Sequence, residues 1–198
     1  MFLAATRVLR LTFDREAASQ TSEVVDSHVV EVVDSPVVPI VGYCQEFVFS
    51  GGLRLAADRL TDLLNGCDEV EVVDVVVRWL DDGQPFAQPR VSFRRSELLA
   101  IKAGLPRGNP ARRRQTRQIA VVGTSGSYRF DGYLHTFRGA DPATDLTRRA
   151  PMIPLTHATI TYTAGEIEVV EEAATLIVNR DVVETLQPAT HRERISVA

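Results

Sequence analysis

A long internal repeat is the feature that most constrains how this chain can fold. Residues 39–53 align without a gap with residues 120–134, and five of the 15 positions are identical. Glycine and phenylalanine account for three of the five identities, and both residue types mark positions with strict steric requirements. The match therefore predicts that the chain contains two copies of one small unit.

Further matches follow in the same order along the chain. The aligned pairs are residues 70–79 with 153–162 and residues 91–101 with 176–186. The offset between the copies grows slightly from one pair to the next, and each increase falls where a loop is expected. We infer five segments: an N-terminal arm at 1–38, a first unit at 39–103, a linker at 104–117, a second unit at 118–188 and a tail at 189–198.

Valine-rich runs predict that both units consist mainly of strands. Valine occurs 26 times, often in pairs or triplets, and β-branched side chains favour extended backbone. Turn signals at Asp81-Asp82-Gly83 and Ala164-Gly165 predict hairpins. Only residues 53–64 and 96–103 show a helical period. We expect a mainly β fold with one or two short helices.

The N-terminal arm carries a shorter repeat, EVVDSHVV followed by EVVDSPVV, with seven of eight positions identical. Two explanations remain open: a strand, turn and strand, or a slippage duplication in a loosely constrained segment. Pro36 confines the second run to a sheet edge. An edge strand offers unpaired backbone groups to another chain, so the arm is a candidate for mediating assembly.

Charge argues against general attraction to nucleic acid or anionic lipid, because the net charge is −4. One basic cluster stands out in the linker. It consists of Arg112, Arg113, Arg114 and Arg117, and guanidinium groups bind phosphate or acidic partners. The alternative interpretation is a solvated linker without a ligand.

The residues that usually carry catalysis form no recognisable constellation. Cys44 and Cys67 are too few for a disulfide framework, and the spacing of His135 and His157 lacks the further ligands that a metal site needs. Gly123–Ser127 has no P-loop lysine and predicts a hairpin turn. Two pairs of aspartates are spaced four residues apart, Asp58 with Asp62 and Asp141 with Asp145. We expect Asp62 and Asp145 to cap a helical turn or close a loop, and the alternative is a cation site or an acid–base pair. We expect no enzyme, no cofactor and no metal.

Several motifs resemble an uncharacterised bacterial family of small β domains. Its pattern reads G-x-L, R-L-S/T-D-F/L-L-N, F/I-x-L-T-D-A and V-N-K/R. The first copy matches the earlier part at Gly52-Leu53 and at residues 59–65, and the second copy matches the later part at residues 153–158 and 178–180. The resemblance covers about two thirds of the chain, and it implies no activity.

The order of elements also resembles Sm-like and SH3-like barrels, which implies a tandem of two small barrels or β-rolls. The arginine cluster loosely resembles the motif of PilZ domains, which bind cyclic dinucleotides. The partner motif D-x-S-x-x-G is incomplete, because the corresponding run from Asp145 ends in Ala150.

These observations favour a non-catalytic interaction or scaffold protein that assembles with itself or with a larger complex. The alternative is an RNA- or nucleotide-binding module that uses residues 112–117. The start of the sequence lacks the features of a signal peptide, and no apolar run is long enough to span a bilayer. A cytoplasmic protein is therefore expected.

Overall fold

A computed structural model describes residues 35–104 and 115–189, and it is mainly β, as the sequence predicts. Nearly all of the N-terminal arm with its duplicated octapeptide, most of the arginine-rich linker and most of the tail lie outside the described residues. The described part contains ten strands, two short α-helices and one 3-10 turn. The expectation of one or two short helices is thus confirmed.

The first half runs strand, strand, helix, strand, strand, 3-10 turn and strand. Alternating buried and exposed residues along its third strand show one face packed on a core, because successive side chains of a strand point to opposite faces. The elements are β1 (Val37–Tyr43), β2 (Phe47–Arg54), α1 (Leu60–Gly66), β3 (Glu69–Trp79), β4 (Pro85–Arg94), the 3-10 turn (Arg95–Glu97) and β5 (Ala100–Ala103).

The second half repeats this order of strands and helix. Two local features stabilise the start of its helix. A proline lies in the first turn, and the Asp141 carboxylate caps the helix by accepting a hydrogen bond from the Thr144 N–H at 2.8 Å. The elements are β6 (Arg117–Ser125), β7 (Tyr128–Thr136), α2 (Pro142–Arg148), β8 (Met152–Ala164), β9 (Ile167–Asn179) and β10 (Thr185–Pro188).

All ten strands belong to one open antiparallel sheet with the order β10-β6-β7-β8-β9-β5-β1-β2-β3-β4. The expectation of two small barrels or β-rolls in tandem is not confirmed, and the pairing of β5 shows why neither half closes. To close the first half, β5 would have to pair with its own β4. It pairs instead with β1 on one side and with β9 of the second half on the other.

Strand registers in the two halves agree with the sequence alignment. In the first half Ile40 pairs with Ala103, and in the second half the aligned residues Val121 and Pro188 pair with each other. Both halves also carry an irregularity near the midpoint of the third strand. There the aligned residues Asp74 and His157 have positive φ angles of 52° and 47°.

Close packing explains why both halves have glycine at the aligned positions 51 and 132. A Cβ atom on Gly51 would lie 2.6 Å from Val72, and one on Gly132 would lie 2.9 Å from Ala158. Both distances are too short for carbon atoms in contact. Each glycine therefore lets β2 or β7 approach the neighbouring strand beside the irregularity, which a larger residue would prevent.

Two hydrophobic cores lie along the sheet, one for each half, and each receives side chains from the other half. Met152 and Ile177 of the second half pack in the first core. Tyr43, Leu99 and Ala100 of the first half pack in the second core. The two halves therefore depend on each other for complete cores.

Candidate interaction site

The junction between the halves is a short stretch of paired backbone. Ala100 pairs with Val178, Ile101 with Ile177 and Lys102 with Leu176. The pairing extends at one end, where the Asn179 N–H donates to the Leu99 carbonyl at 2.8 Å and the Asn179 side chain donates to the Arg95 carbonyl at 2.8 Å. The junction thus shows how an edge strand of one half recognises an edge strand of the other.

A carboxylate anchors the polar side of this junction. Glu171 of β9 accepts hydrogen bonds from the Tyr162 hydroxyl at 2.9 Å, the Tyr43 hydroxyl at 3.2 Å and the Lys102 ammonium at 2.9 Å. Lys102 is the only lysine of the chain. Two of the three donors come from the first half, so the carboxylate links β9 to both β1 and β5.

The protonation states of this cluster are those of a structural site. Burial alone would raise the pKa of the Glu171 carboxyl, but hydrogen bonds from Lys102, Tyr162 and Tyr43 outweigh it and hold the pKa below its usual value. Burial, with the nearby Glu171 charge, raises the pKa of the Tyr43 hydroxyl far above its ordinary range. The tyrosines therefore stay protonated as donors, and the ionised carboxylate has three donors and no proton to transfer.

Replacing Glu171 with glutamine should lower the free energy of unfolding by about 2 kcal/mol at neutral pH, because two hydroxyls and an ammonium lose a charged acceptor. The folded-state pKa of Glu171 lies below the ordinary value of 4.5. The carboxylate therefore contributes fully to stability at a pH above its ordinary pKa. This contribution is lost as the pH falls through the lower pKa of the folded chain. Urea unfolding across this range measures both effects.

The control for this prediction is Glu168→Gln, since Glu168 is an exposed carboxylate on the same strand. It should leave stability within about 0.5 kcal/mol of the unchanged chain. Equal acid sensitivity of Glu171→Gln and the unchanged chain would contradict the assigned role of Glu171.

Further hydrogen bonds cross between the halves. The Tyr128 hydroxyl donates to the Cys44 carbonyl at 2.8 Å in a buried position. The Asn65 side chain makes a reciprocal pair with the Met152 backbone: its amide donates to the carbonyl at 3.0 Å, and its oxygen accepts from the N–H at 2.9 Å. The end of helix α1 is therefore fixed beside the start of β8.

Two strands of the described sheet have a neighbour on one side only, and they form its outer edges. Strand β4 pairs with β3, and strand β10 pairs with β6. Prolines interrupt these edges at Pro85, Pro89 and Pro188, which limits indiscriminate pairing because proline has no N–H to donate. The aromatic residue Phe86 on β4 is 44% exposed. These edges are the candidate interaction site.

The arginine cluster is described only in part. Arg112, Arg113 and Arg114 lie outside the described residues, so their predicted contact with an anion or nucleic acid stays a prediction. Arg117 begins β6, where it is exposed and donates to the Ala140 carbonyl at 2.7 Å. That contact ties β6 to the loop before α2.

His135 lies between two hydroxyl groups, with Thr116 at 3.1 Å and Thr156 at 2.9 Å. Burial, together with electrostatic repulsion from the neighbouring Arg149 and His157, lowers its pKa. Within residues 35–104 and 115–189, no group of three or more histidine, cysteine, aspartate or glutamate side chains could hold a metal ion.

Neither cysteine shows the environment of a nucleophile. Cys44 is buried, and that burial strongly raises the pKa of its thiol, whereas a reactive cysteine needs a lowered pKa. Cys67 is half-buried, and its thiol contacts the Leu63 carbonyl at 3.1 Å. Burial also raises the pKa of the Cys67 thiol.

Capping of a helical turn, one of the two roles expected for Asp62 and Asp145, is not what the structure shows for either residue. Asp141 caps α2, while Asp145 lies one turn later and forms an ion pair with Arg149 at 2.7 Å. Asp62 lies in the first turn of α1, whose N-cap position is occupied by Arg59 without a side-chain capping hydrogen bond. The four-residue spacing places the second aspartate of each pair inside the helix, which sequence spacing alone does not reveal.

The polar residues of the junction could not be recognised in the sequence. These residues are far apart along the chain, and they meet only because β5 pairs with β9. They are Tyr43, Lys102, Tyr162 and Glu171. The one available signal was the presence of a single lysine in a chain whose other bases are arginines.

No protein-family model, curated protein or solved structure matches this chain. The resemblances to a family of small β domains and to Sm-like or SH3-like barrels therefore stay predictions. In the described residues, no helix is both long enough and apolar enough to cross a membrane.

Proposed function

We propose that this protein is a non-catalytic scaffold that binds other protein chains through the edges of its sheet. We interpret its halves as two copies of one small β unit, and we propose that edge pairing between such units is how the protein assembles. The observation that supports the proposal most is the contrast between the centre and the ends of the sheet. At the centre, edge strands of the two halves bind each other, whereas the equivalent edges at the ends of the described sheet remain open.

Edge pairing supplies both affinity and specificity. Backbone N–H and C=O groups provide directional hydrogen bonds, and neighbouring side chains select the partner. Open β edges are also hazardous, because they pair with unrelated chains. The prolines at positions 85, 89 and 188 leave short segments of each edge free, an arrangement that suits a selective partner.

The chemistry of the junction supports a role without catalysis. Glu171 is ionised and fully hydrogen-bonded, and the hydroxyl groups of Tyr43 and Tyr162 are held protonated by their raised pKa values. The buried Cys44 thiol is likewise held protonated by its raised pKa. A catalytic site needs a nucleophile or base near a reactive position, and these groups serve packing and strand recognition instead.

Photo-crosslinking in the source cell tests this function. A photoreactive amino acid at Ser92 on β4 or at Gln187 on β10 should form covalent adducts with protein, identified by mass spectrometry. The matched control is Arg129, which is exposed on β7, a strand with neighbours on both sides. Adducts at the edges but not at the control support the proposal. Equal labelling at all three positions, or no protein adduct at the edges, would overturn it.

A further inference from the structure

The internal junction provides a template for the two open edges. Strand β5 of the first half pairs with β9 of the second. In the alignment that matches residues 91–101 with 176–186, the equivalent of β5 is β10 and the equivalent of β9 is β4. These are the two strands that have a neighbour on one side only among the described residues.

We propose that a second copy of this chain docks head to tail, with β10 of one copy pairing with β4 of the next. We apply the register of the β5–β9 pairing to β10 and β4 through the same alignment. The predicted pairs are Thr185 with Phe93, Leu186 with Ser92 and Gln187 with Val91. This inference rests on the proposed function and names the partner and register for it. Repetition of such a contact gives a closed ring or a filament.

Proline positions agree with this register. The three predicted pairs use residues 185–187 and 91–93, which contain no proline. Pro188 comes directly after the first segment, and Pro89 precedes the second with one residue between them. The internal junction likewise ends at Lys102, so the free part of each edge has the length that the template needs.

The transferred contacts bring together side chains of opposite charge. At the internal junction, the Asn65 side chain binds the backbone of Met152. The alignment makes Arg148 the equivalent of Asn65. It makes Glu69 the equivalent of Met152. Both Arg148 and Glu69 are exposed, and neither forms an ion pair within the described part of the chain. Arg148 at the end of α2 would therefore lie near Glu69 of the next copy.

A second charged pair arises in the same way. At the internal junction the Asn179 N–H donates a hydrogen bond to the Leu99 carbonyl. The alignment makes Arg94 equivalent to Asn179 and Glu184 equivalent to Leu99. Docking would therefore place Arg94 of one copy beside Glu184 of the other, and both side chains are exposed. Docking in this register therefore brings a second basic side chain beside an acidic one across the contact.

Apolar residues fit the same arrangement. Leu186 packs against the second core as its equivalent Ile101 packs in the first. The position equivalent to Glu171 is Phe86, which is 44% exposed. Docking of β10 would place Gln187, the equivalent of Lys102, against the Phe86 ring. A second copy of this chain thus supplies both the complementary charge and the cover for an exposed aromatic residue.

Disulfide trapping tests the register with purified protein. In a Cys67→Ser background that keeps the buried Cys44, we mix chains carrying Ser92→Cys with chains carrying Leu186→Cys. The predicted pair brings Cα atoms to about 5.5 Å, which a disulfide requires. The mixture should yield a covalent dimer under mild oxidation. Either variant alone, or Leu186→Cys mixed with Gln88→Cys on the same strand, should yield at least fivefold less.

Charge reversal is an independent test that leaves the folded chain intact, because both side chains are exposed. Arg148→Glu should weaken self-association by about fivefold or more, and combining it with Glu69→Arg should restore the association. Equal trapping of matched and mismatched cysteine pairs, with no effect of charge reversal on association, would overturn the inference. If edge adducts in the cell then contain a different protein, the scaffold function stands and only the partner is wrong.

Discussion

Alanine in place of Phe49 or Phe130 should lower the free energy of unfolding by similar amounts, about 3–5 kcal/mol at each site. The two residues occupy equivalent positions on β2 and β7, and both are almost fully buried. Phe49 stacks on Phe93 with ring centroids 4.0 Å apart, and Phe130 lies parallel to Tyr128 at 6.2 Å. Each substitution leaves a cavity in its own core.

Urea unfolding of the two variants measures these costs. Tyr133→Ala provides the control, because Tyr133 lies on the same strand as Phe130 with 42% of its surface exposed. Its replacement should cost about 1 kcal/mol or less. A large cost at one phenylalanine and a negligible cost at the other would show that the two halves do not have equivalent cores.

Ile177→Ala should destabilise the whole chain by about 2–5 kcal/mol, although Ile177 comes from the second half. Its side chain is 2% exposed and packs in the first core. Its truncation leaves a cavity in the first core, beside the point where β9 pairs with β5. Calorimetry of the unchanged chain should therefore show one cooperative transition, and the variant should shift that transition as a unit.

Ile167→Ala is the matched control for this second prediction, since Ile167 lies on the same strand with 68% of its surface exposed. It should change stability by no more than about 0.5 kcal/mol. Two separate transitions in the unchanged chain, with only one moved by Ile177→Ala, would mean that the halves fold independently and that the junction is a weak contact.

Local patterns predicted the strand-rich character and the hairpins. Gly83 and Gly165 have φ angles of 68° and 61° at the turns that the sequence indicates, because a tight hairpin demands a residue that tolerates positive φ. These features depend on a few neighbouring residues, which makes them visible in the sequence.

Helix positions were predicted less well. Residues 96–103 show a helical period, yet they form the end of a 3-10 turn and strand β5. The reason is that Leu98, Leu99, Ala100 and Ile101 are all buried, and a continuous apolar run also fits a strand covered on both faces. Helix α2 was missed because it buries only Leu146 and so shows no apolar period, whereas α1, of the same length, buries both Leu60 and Leu64.

The junction could not be predicted because it depends on the choice of partner strand. A four-residue strand such as Ala100–Ala103 carries no signal that distinguishes β4 from β9 as its neighbour. That choice decides between a closed unit and an open sheet. It also brings Lys102 to Glu171, although the two are distant in the chain.

Light scattering across a concentration series is the most direct test of edge-to-edge assembly. We predict a mass of two or more chains at moderate concentration, which falls towards one chain on dilution and in the Arg148→Glu variant. A mass of one folded chain at every concentration, unchanged by that substitution, would contradict assembly of this protein with itself through its sheet edges.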